Sequence, residues 1–215
     1  AKAAETGCCF SGASNGMIHP TEVVAMLLSA EKSFEEGIKS VQEKIKGSCS
    51  FLVLTAKGIY ACRDRLGRTP LVIGRKEDGF AVSSESSAFQ NLGYDPVRDL
   101  GPGEAVYISP EGCETRIMPG DTMQVCPFLW VYYGHPSSNY DGINVEEFRH
   151  RCGARLAQAD DVEADIAGAL PDSGIGHAVG YANRPGLPYP PPTVQYPPTW
   201  PCSFLPPPQP SRHPV

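Results

Sequence analysis

The sequence predicts an α+β fold, in which a layered helix-and-sheet domain is followed by the start of an α/β domain. Two amphipathic helical segments come first, a run of antiparallel hairpins follows them, and a later strand leads into a helix through a tight turn. The expected boundaries are 1–118 for the first domain, 119–184 for the second and 185–215 for a proline-rich tail.

Two helices are predicted in the first domain. From Thr21 onwards apolar residues recur at helical spacing and form one face, made of Val23, Val24, Leu27 and Leu28. A second helix begins at Ser33, because Glu36 completes a capping box with it. This helix is expected to stop at Gly47.

The next region changes to the two-residue period of β-strands. Three hairpins are expected, each made of two apolar runs around a turn: CSFLVLT with IYACR, PLVIG with FAVSS, and EAVYIS with GCETRIM. Pro110, Glu111 and Gly112 provide the third bend. Hairpins that follow helices in this way indicate a layered α+β domain.

A junction and a second region follow the hairpins. Pro119 and Gly120 interrupt both periods and indicate the junction. Beyond them PFLWVYYG is interpreted as a strand, and Asn144 as the cap of a helix whose inner face consists of Phe148, Cys152 and Leu156. The segment VEADIAGAL is expected to form a short strand that runs into PDSGIGHAVGYA, a turn that opens a helix.

The tail is dominated by proline. The last 31 residues contain 13 of the 22 prolines. Proline lacks a backbone N–H, so the tail cannot form a helix or a central strand, and we expect it to be extended or disordered. Two interpretations stay open: the tail is a ligand for an aromatic-lined binding module, or it is an accidental end without a function.

Composition excludes several classes of partner. The formal charge is −6 and the basic residues are scattered, so neither nucleic acid nor a membrane surface is expected as a partner. The sequence has no apolar run long enough for a membrane span, and AKAAETGCCFSGAS does not resemble a signal peptide, which favours a cytoplasmic location. The eight cysteines form no C-x-x-C pair, which favours reduced, mostly buried thiols.

The segment YACRDRLGRTPLVIG places charged residues at a turn between two predicted strands. From the residues alone this turn is structural, since Asp64 can accept hydrogen bonds from backbone amides and from Arg68. Together with SSES and Phe89, the segment resembles the glutaminase domain of the amidophosphoribosyltransferase family. The resemblance implies that these charges hold a core turn in shape.

The resemblance extends over residues 20–190 and is carried by several further segments. These are TEVVAMLL, SFEEGIKSVQEKIKGSCSFLVLT, LGPGEAVYIS, the run from WVYYG to CGARLA, and PDSGIGHAVGYA. The resemblance implies part of an N-terminal-nucleophile glutaminase αββα sandwich over 1–118 and the first βα unit of a phosphoribosyltransferase α/β domain over 119–184. The chain is then a fragment of such a protein, incomplete at both ends.

The resemblance also implies a reaction. Members of the family combine glutamine with phosphoribosyl pyrophosphate to give phosphoribosylamine, glutamate and pyrophosphate, the first step of de novo purine synthesis. Their glutaminase nucleophile is an N-terminal Cys, whose own amine serves as the base. No residue here matches that Cys, so no catalytic residue is expected in this chain.

The nearest candidates for the glutamine site are out of register. Cys8 and Cys9 lie too close to the TEVVAMLL helix, and so does the Asn15–Gly16 pair, which is interpreted as a turn. Pro20 stands where the family has an acidic residue that holds the amino group of glutamine. The glutamine site is therefore expected to be incomplete.

Binding residues are implied for the second domain. Asp172, Ser173 and Gly174 match the family loop at which the substrate pyrophosphate and magnesium approach the backbone, with the Ser173 hydroxyl offered to the metal. As a bare motif the same residues form a helix cap, and this alternative stays open. Cys126 falls where iron–sulfur members of the family have a cluster cysteine, although a free thiol is the favoured interpretation.

Beyond Tyr189 the match ends. The Lys and Arg of the family's phosphate-binding lid are missing, and Cys202 stands where Arg is usual. The family's loop with two Asp, which binds the ribose, would lie beyond the end of the chain. The chain alone is therefore expected to be inactive.

The complete parent protein is expected to bind glutamine and phosphoribosyl pyrophosphate and to form a homo-oligomer. Two alternatives remain. The chain is a non-catalytic interaction or regulatory protein on the same scaffold, or it belongs to a different amidotransferase such as a glucosamine-phosphate synthase. The segment PDSGIGHAVGYA argues against the second alternative, because the partner domain of that enzyme is not a phosphoribosyltransferase.

Overall fold

The computed structural model describes residues 18–191 and residue 193. Two compact units make up the chain. Of the described residues, the first unit contains those up to Leu129 together with Gly134–Asn144, and the second contains Trp130–Tyr133 together with those from Val145 onwards. The limits at 118 and 184 stay predictions, and most of the proline-rich tail lies outside the described residues.

The first unit mixes helices with antiparallel strands, which confirms the α+β class. Its helices are α1 (Pro20–Ser29), α2 (Phe34–Lys44) and α3 (Ser87–Leu92). Its strands are β1 (Phe51–Leu54), β2 (Ile59–Cys62), β3 (Val72–Lys76), β4 (Gly79–Ser83), β5 (Asp95–Asp99), β6 (Ala105–Ser109), β7 (Gly112–Ile117), β8 (Asn139–Tyr140) and β9 (Ile143–Asn144).

The regular secondary structure of the second unit is helical in the residues that the structure describes. It contains α4 (Val145–Ala159) and α5 (Ser173–Asn183). A π-helical turn over Leu129–Tyr133 contributes its last four residues to this unit. Among residues 18–191, no helix combines the length and the apolar character that crossing a membrane requires.

Helix α2 begins where the sequence predicts. The Ser33 hydroxyl accepts a hydrogen bond from the Glu36 amide at 3.2 Å, so Ser33 is the N-cap. Ile38 and Val41 of this helix are fully buried. The helix ends at Lys44, slightly before the expected stop at Gly47.

The larger strands of the first unit form two antiparallel sheets. One has the order β1-β2-β6-β7 and the other the order β4-β3-β5. The predicted hairpins are confirmed as β1–β2, β3–β4 and β6–β7. Strand β5 is not predicted by the sequence, because Pro96 and charged residues interrupt its apolar pattern. It lies at the edge of its sheet, where proline is tolerated.

The apolar core of the first unit lies on both faces of the first sheet. On one face Ala61 and Val106, both fully buried, pack in one cluster with Ile73 of the second sheet. On the other face Cys62 and Ala105 pack with Ile38 of α2. Because successive residues of a strand point to opposite faces, the layers follow the order helix, sheet, sheet.

The charged turn between β2 and β3 is organised by Asp64. Its carboxylate accepts hydrogen bonds from the Leu66 amide at 3.2 Å and from the Thr69 amide at 2.8 Å. The expected backbone contacts are therefore confirmed. The expected contact with Arg68 is wrong, because the Arg68 Nε donates to the Gln124 side-chain oxygen at 3.1 Å instead.

Arg63 is a fully buried cation, with 1% of its side chain exposed. Its two terminal nitrogens donate to the two carboxylate oxygens of Asp141 at 2.8 and 2.9 Å. They also donate to the carbonyl oxygens of Leu100 and Gly67. A bidentate carboxylate with additional carbonyl acceptors is an arrangement in which a buried guanidinium is tolerated. This pair ties the segment Gly134–Asn144 to the sheets.

Glu85 holds the same segment through a second set of hydrogen bonds. Its Oε1 accepts from the His135 amide at 2.8 Å, from the Ser138 hydroxyl at 2.9 Å and from the Tyr140 hydroxyl at 2.8 Å. Burial acts to raise the pKa of Glu85, but these donors outweigh it, and the pKa lies below its ordinary value. The charged carboxylate therefore stabilises the segment at neutral pH.

Helices α4 and α5 cross with their backbones in close contact. A Cβ atom added at Gly153 would lie 1.9 Å from the His177 carbonyl oxygen, and one added at Gly180 would lie 2.1 Å from the His150 carbonyl oxygen. Neither position has room for a side chain. The two glycines therefore permit the close crossing that fixes α5 on α4.

Three expectations for this part of the chain are wrong. PFLWVYYG contains the π-helical turn instead of a strand, because the buried Arg149 donates to the Trp130 carbonyl at 2.8 Å and to the Tyr132 carbonyl at 3.0 Å. VEADIAGAL is not a strand, and within the described residues no neighbouring strand pairs with it. Leu156 does not belong to the inner face of α4, since it is 61% exposed.

Replacing Arg63 by methionine tests the buried cation. We expect the free energy of unfolding of the first unit to fall by about 3–5 kcal/mol, because Asp141 loses its partner and two carbonyl oxygens lose their donors. The control is Arg116→Met, which breaks an exposed pair with Glu114 and should cost less than about 1 kcal/mol. Urea denaturation measures both, and equal losses would contradict this role for Arg63.

Acidification should weaken the first unit through Glu85. Because its pKa is lowered on folding, its contribution is complete above the ordinary value of 4.5 and is lost as the pH falls through the lower folded value. Glu85→Gln should therefore lose stability less steeply than the parent chain between about pH 5 and pH 3. Urea denaturation at several pH values measures this, with the exposed Glu77→Gln as control. Identical pH profiles for the parent and Glu85→Gln would refute the prediction.

Adding a methyl group at Gly180 tests the helix crossing. We expect Gly180→Ala to destabilise the second unit by about 1–3 kcal/mol or more, because the new Cβ overlaps a backbone carbonyl. Gly79→Ala is the control, since a Cβ there meets nothing within 4 Å. Thermal unfolding followed by circular dichroism measures both variants. A Gly180→Ala chain as stable as the control would show that the helices can separate at little cost.

Candidate functional site

The three residues predicted to bind pyrophosphate lie together at the start of α5. Ser173 and Gly174 are its first two residues, and Asp172 immediately precedes them. The Ile175 amide donates to the Asp172 carbonyl at 3.2 Å, which closes the first turn. The Asp172 carboxylate makes no capping hydrogen bond to the helix, and Asp172 is exposed. The side chain is therefore available for a ligand.

This arrangement can bind an anion through a metal ion. The first N–H groups of a helix have no partner within the helix and carry a partial positive charge. The Asp172 carboxylate would repel an anion unless a cation lay between them. Carboxylate and hydroxyl oxygens suit Mg²⁺, which is commonly held by one or two carboxylates together with phosphates and water. Asp172 and Ser173 therefore fit the implied magnesium ion.

Contacts along α5 fix the position of this turn. Besides the crossing at Gly180, a Cβ at Gly176 would lie 2.8 Å from the Glu146 side chain. The His177 ring nitrogen lies 3.1 Å from the Val131 carbonyl oxygen, and the Tyr181 hydroxyl donates to Asp160 at 2.8 Å. The start of α5 is thus held by contacts that the predicted site residues do not make themselves.

Cys126 is an exposed, free cysteine. Within the part of the chain that the structure describes, no three His, Cys, Asp or Glu side chains lie close enough together to hold a metal ion. Among these residues, Cys126 therefore does not form part of a cluster of possible metal ligands. Its assignment to an iron–sulfur cluster of the parent protein stays a prediction.

Three thiols of the first unit, those of Cys49, Cys62 and Cys113, are poor candidates for a nucleophile. Burial, with a smaller effect of Cys49, raises the pKa of Cys62 to about 12, and burial also raises the pKa of Cys49 and of Cys113. These thiols stay protonated at neutral pH, whereas nucleophilic attack requires the thiolate. The N-terminal candidates, Cys8, Cys9 and the Asn15–Gly16 pair, lie outside the described residues, as does Cys202.

The first unit contains a cavity of about 340 Å³ that no sequence motif indicates. Lys46 and Arg65 line it from two different parts of the chain. No local motif joins the two residues, so only the fold shows that they share a surface. The turn motif that contains Arg65 is the one signal that pointed to this region.

Comparison with known proteins gives consistent matches. Residues 11–91 match the family model described as a glutamine amidotransferase domain. The amidophosphoribosyltransferase of Archaeoglobus fulgidus is 39% identical over 175 residues, which covers 79% of this chain and 38% of the relative. That of Bacillus subtilis is 37% identical over 172 residues, covering 79% and 36%. The chain thus spans less than two-fifths of the length of these relatives.

Solved structures agree with the sequence matches. The glutamine phosphoribosylpyrophosphate amidotransferase of B. subtilis, complexed with ADP and GMP, matches with a TM-score of 0.79 at 33% identity, covering 88% of this chain and 41% of that one. A structure described as the allosteric regulatory enzyme of purine biosynthesis gives a TM-score of 0.78 at 33% identity. The chain therefore belongs to the amidophosphoribosyltransferase family and corresponds to part of the length of its members.

Proposed function

We propose that this chain is part of an enzyme that makes phosphoribosylamine from glutamine and phosphoribosyl pyrophosphate, the first step of de novo purine synthesis. The observation that carries the proposal is its 39% identity, over 79% of the chain, to a protein named amidophosphoribosyltransferase. The glutamine amidotransferase match over residues 11–91 supports the use of glutamine. The parent protein would act in the cytoplasm as a homo-oligomer.

The turn Asp172–Gly174 would bind the pyrophosphate group of phosphoribosyl pyrophosphate. The backbone N–H groups at the start of α5 would face the phosphates. The Asp172 carboxylate and the Ser173 hydroxyl would hold Mg²⁺, which neutralises phosphate charge when it is bound. The exposed Asp172 side chain and its lack of a capping bond support this role.

The first unit would contribute part of a glutaminase of the N-terminal-nucleophile type. The pKa values of Cys49, Cys62 and Cys113 are raised, which disfavours a nucleophilic role for these three thiols. The chain alone is therefore proposed to lack glutaminase activity. Asp64 and Arg63 would act by holding the core turn and the segment Gly134–Asn144 in place.

Sequencing the coding region on both sides of this reading frame tests the parent activity. We expect an upstream segment that begins the mature protein with Cys and a downstream loop with two Asp. Their presence, together with glutamate release by the complete protein in the presence of both substrates, would support the enzyme. Unrelated flanking sequence would favour a non-catalytic interaction or regulatory protein on the same scaffold.

Magnesium pyrophosphate binding tests the site at the start of α5. We expect the amide resonances of Ser173, Gly174 and Ile175 to shift on titration, with no comparable shift when Mg²⁺ is omitted. Ser173→Ala should weaken binding by up to about tenfold, because one oxygen donor to the metal is lost. Ser33→Ala is the matched control, since it removes a hydroxyl from the start of α2. Equal binding by Ser173→Ala and the parent chain would remove Ser173 from the site.

A further inference from the structure

The cavity in the first unit is not used by the proposed function. Its volume is about 340 Å³, which lies in the range of small-molecule sites. It is bounded by the end of α2, by the segment that follows α2, and by the turn after β2. The lining includes Gln42, Glu43, Lys46, Cys49, Arg65 and Arg68.

Hydrogen bonds fix the walls of this cavity. The Gln42 side-chain nitrogen donates to the Arg63 carbonyl at 3.1 Å and to the Gly103 carbonyl at 3.0 Å, which ties α2 to the turn. The Asp64 carboxylate accepts hydrogen bonds from two backbone amides of that turn. Because both walls are held in this way, the cavity is preformed, and a ligand need not order them on binding.

The lining has an excess of positive charge. The lining contains three cationic residues, Lys46, Arg65 and Arg68, and two acidic residues, Glu43 and Asp64. Asp64 already accepts several hydrogen bonds, including one from the Ser48 hydroxyl at 3.2 Å. Its charge is therefore partly satisfied by neutral donors, and the surplus of cations favours an anionic ligand.

The cations are not committed to carboxylates. Arg68 donates to a neutral acceptor, the side-chain oxygen of Gln124. The side chains of Lys46 and Arg65 form no hydrogen bond or ion pair with the residues that the structure describes. Three cationic groups thus border one cavity with their charge available to a ligand.

We propose that this cavity binds a small phosphorylated metabolite. The planar fork of Arg65 matches phosphate oxygens, and the Lys46 ammonium adds a compact charge. The Nε and one terminal nitrogen of Arg68 donate to Gln124, so Arg68 contributes mainly its positive charge. A phosphate group carries more negative charge and more acceptor oxygens than a carboxylate, so it interacts more favourably with three cationic side chains. The lining residues belong to the first unit, whereas the proposed pyrophosphate turn belongs to the second unit.

Cys49 provides a local readout of occupancy. Cys49 is one of the lining residues and is partly exposed. Burial and the Asp64 carboxylate raise its pKa, so alkylation is slow but measurable at about pH 8.5. A ligand in the cavity would block the reagent, and mass spectrometry of the peptide that contains Cys49 reports this site alone.

The experiment follows iodoacetamide alkylation of Cys49 at increasing concentrations of inorganic pyrophosphate. We expect the protection to saturate. Lys46→Gln and Arg65→Gln should each raise its midpoint, the pyrophosphate concentration that gives half-maximal protection, by about tenfold. Glu43→Gln should lower the midpoint by about two- to threefold, because it removes a repulsive charge. Lys57→Gln is the matched control: it removes the same charge from the turn between β1 and β2 and should leave the midpoint unchanged.

Three outcomes would overturn the proposal. One is the absence of protection at about 10 mM pyrophosphate. Another is an equal shift for Lys57→Gln and Lys46→Gln, which would indicate an effect of net charge alone. The third is equal protection by succinate, which would assign the cavity to dicarboxylates. Ser173→Ala should not change the protection of Cys49, so failure at the start of α5 and failure here are distinguishable.

Discussion

The first unit depends on one buried cation, the Arg63 guanidinium. It joins β2 to the turn at Gly67, to the Leu100 carbonyl before β6, and to Asp141 in a distant segment. Burial, together with the nearby Asp141 carboxylate, raises the pKa of Asp99. Two carboxylates, those of Asp99 and Asp141, therefore lie near this one guanidinium and disfavour each other's charged form. Removing a guanidinium from water costs several kcal/mol. The Asp141 carboxylate and two carbonyl oxygens offset this cost at the terminal nitrogens, whereas the buried Nε has no hydrogen-bond partner among the described residues. The cation therefore selects one arrangement of these four segments.

Local patterns account for the features that the sequence predicts correctly. Helix α2 begins at Ser33 because its cap involves residues only three apart, and the hairpins follow from alternating apolar residues around short turns. The Asp172–Gly174 turn is likewise a contiguous motif at the start of a helix. In each case the interacting groups are near neighbours in the chain, so their spacing carries the information.

The features that the sequence does not predict depend on distant partners. Arg149 looks like a surface residue of an amphipathic helix, yet it is buried and donates to carbonyls of the π-helical turn. Strand β5 forms against β3 despite its proline and charges. Lys46 and Arg65 reach one cavity from separate elements. No spacing rule within a single segment encodes these encounters, because tertiary packing decides them.

Strand β5 also determines how its sheet can associate with other chains. It occupies one edge of the β4-β3-β5 sheet, and its sequence DPVRD places Pro96 opposite Gly74, where the register shifts. Proline removes a backbone donor, and charged side chains such as Arg98 disfavour a further strand beside them. This edge therefore resists intermolecular strand addition, and self-assembly of the unit into extended β-structure would have to begin elsewhere.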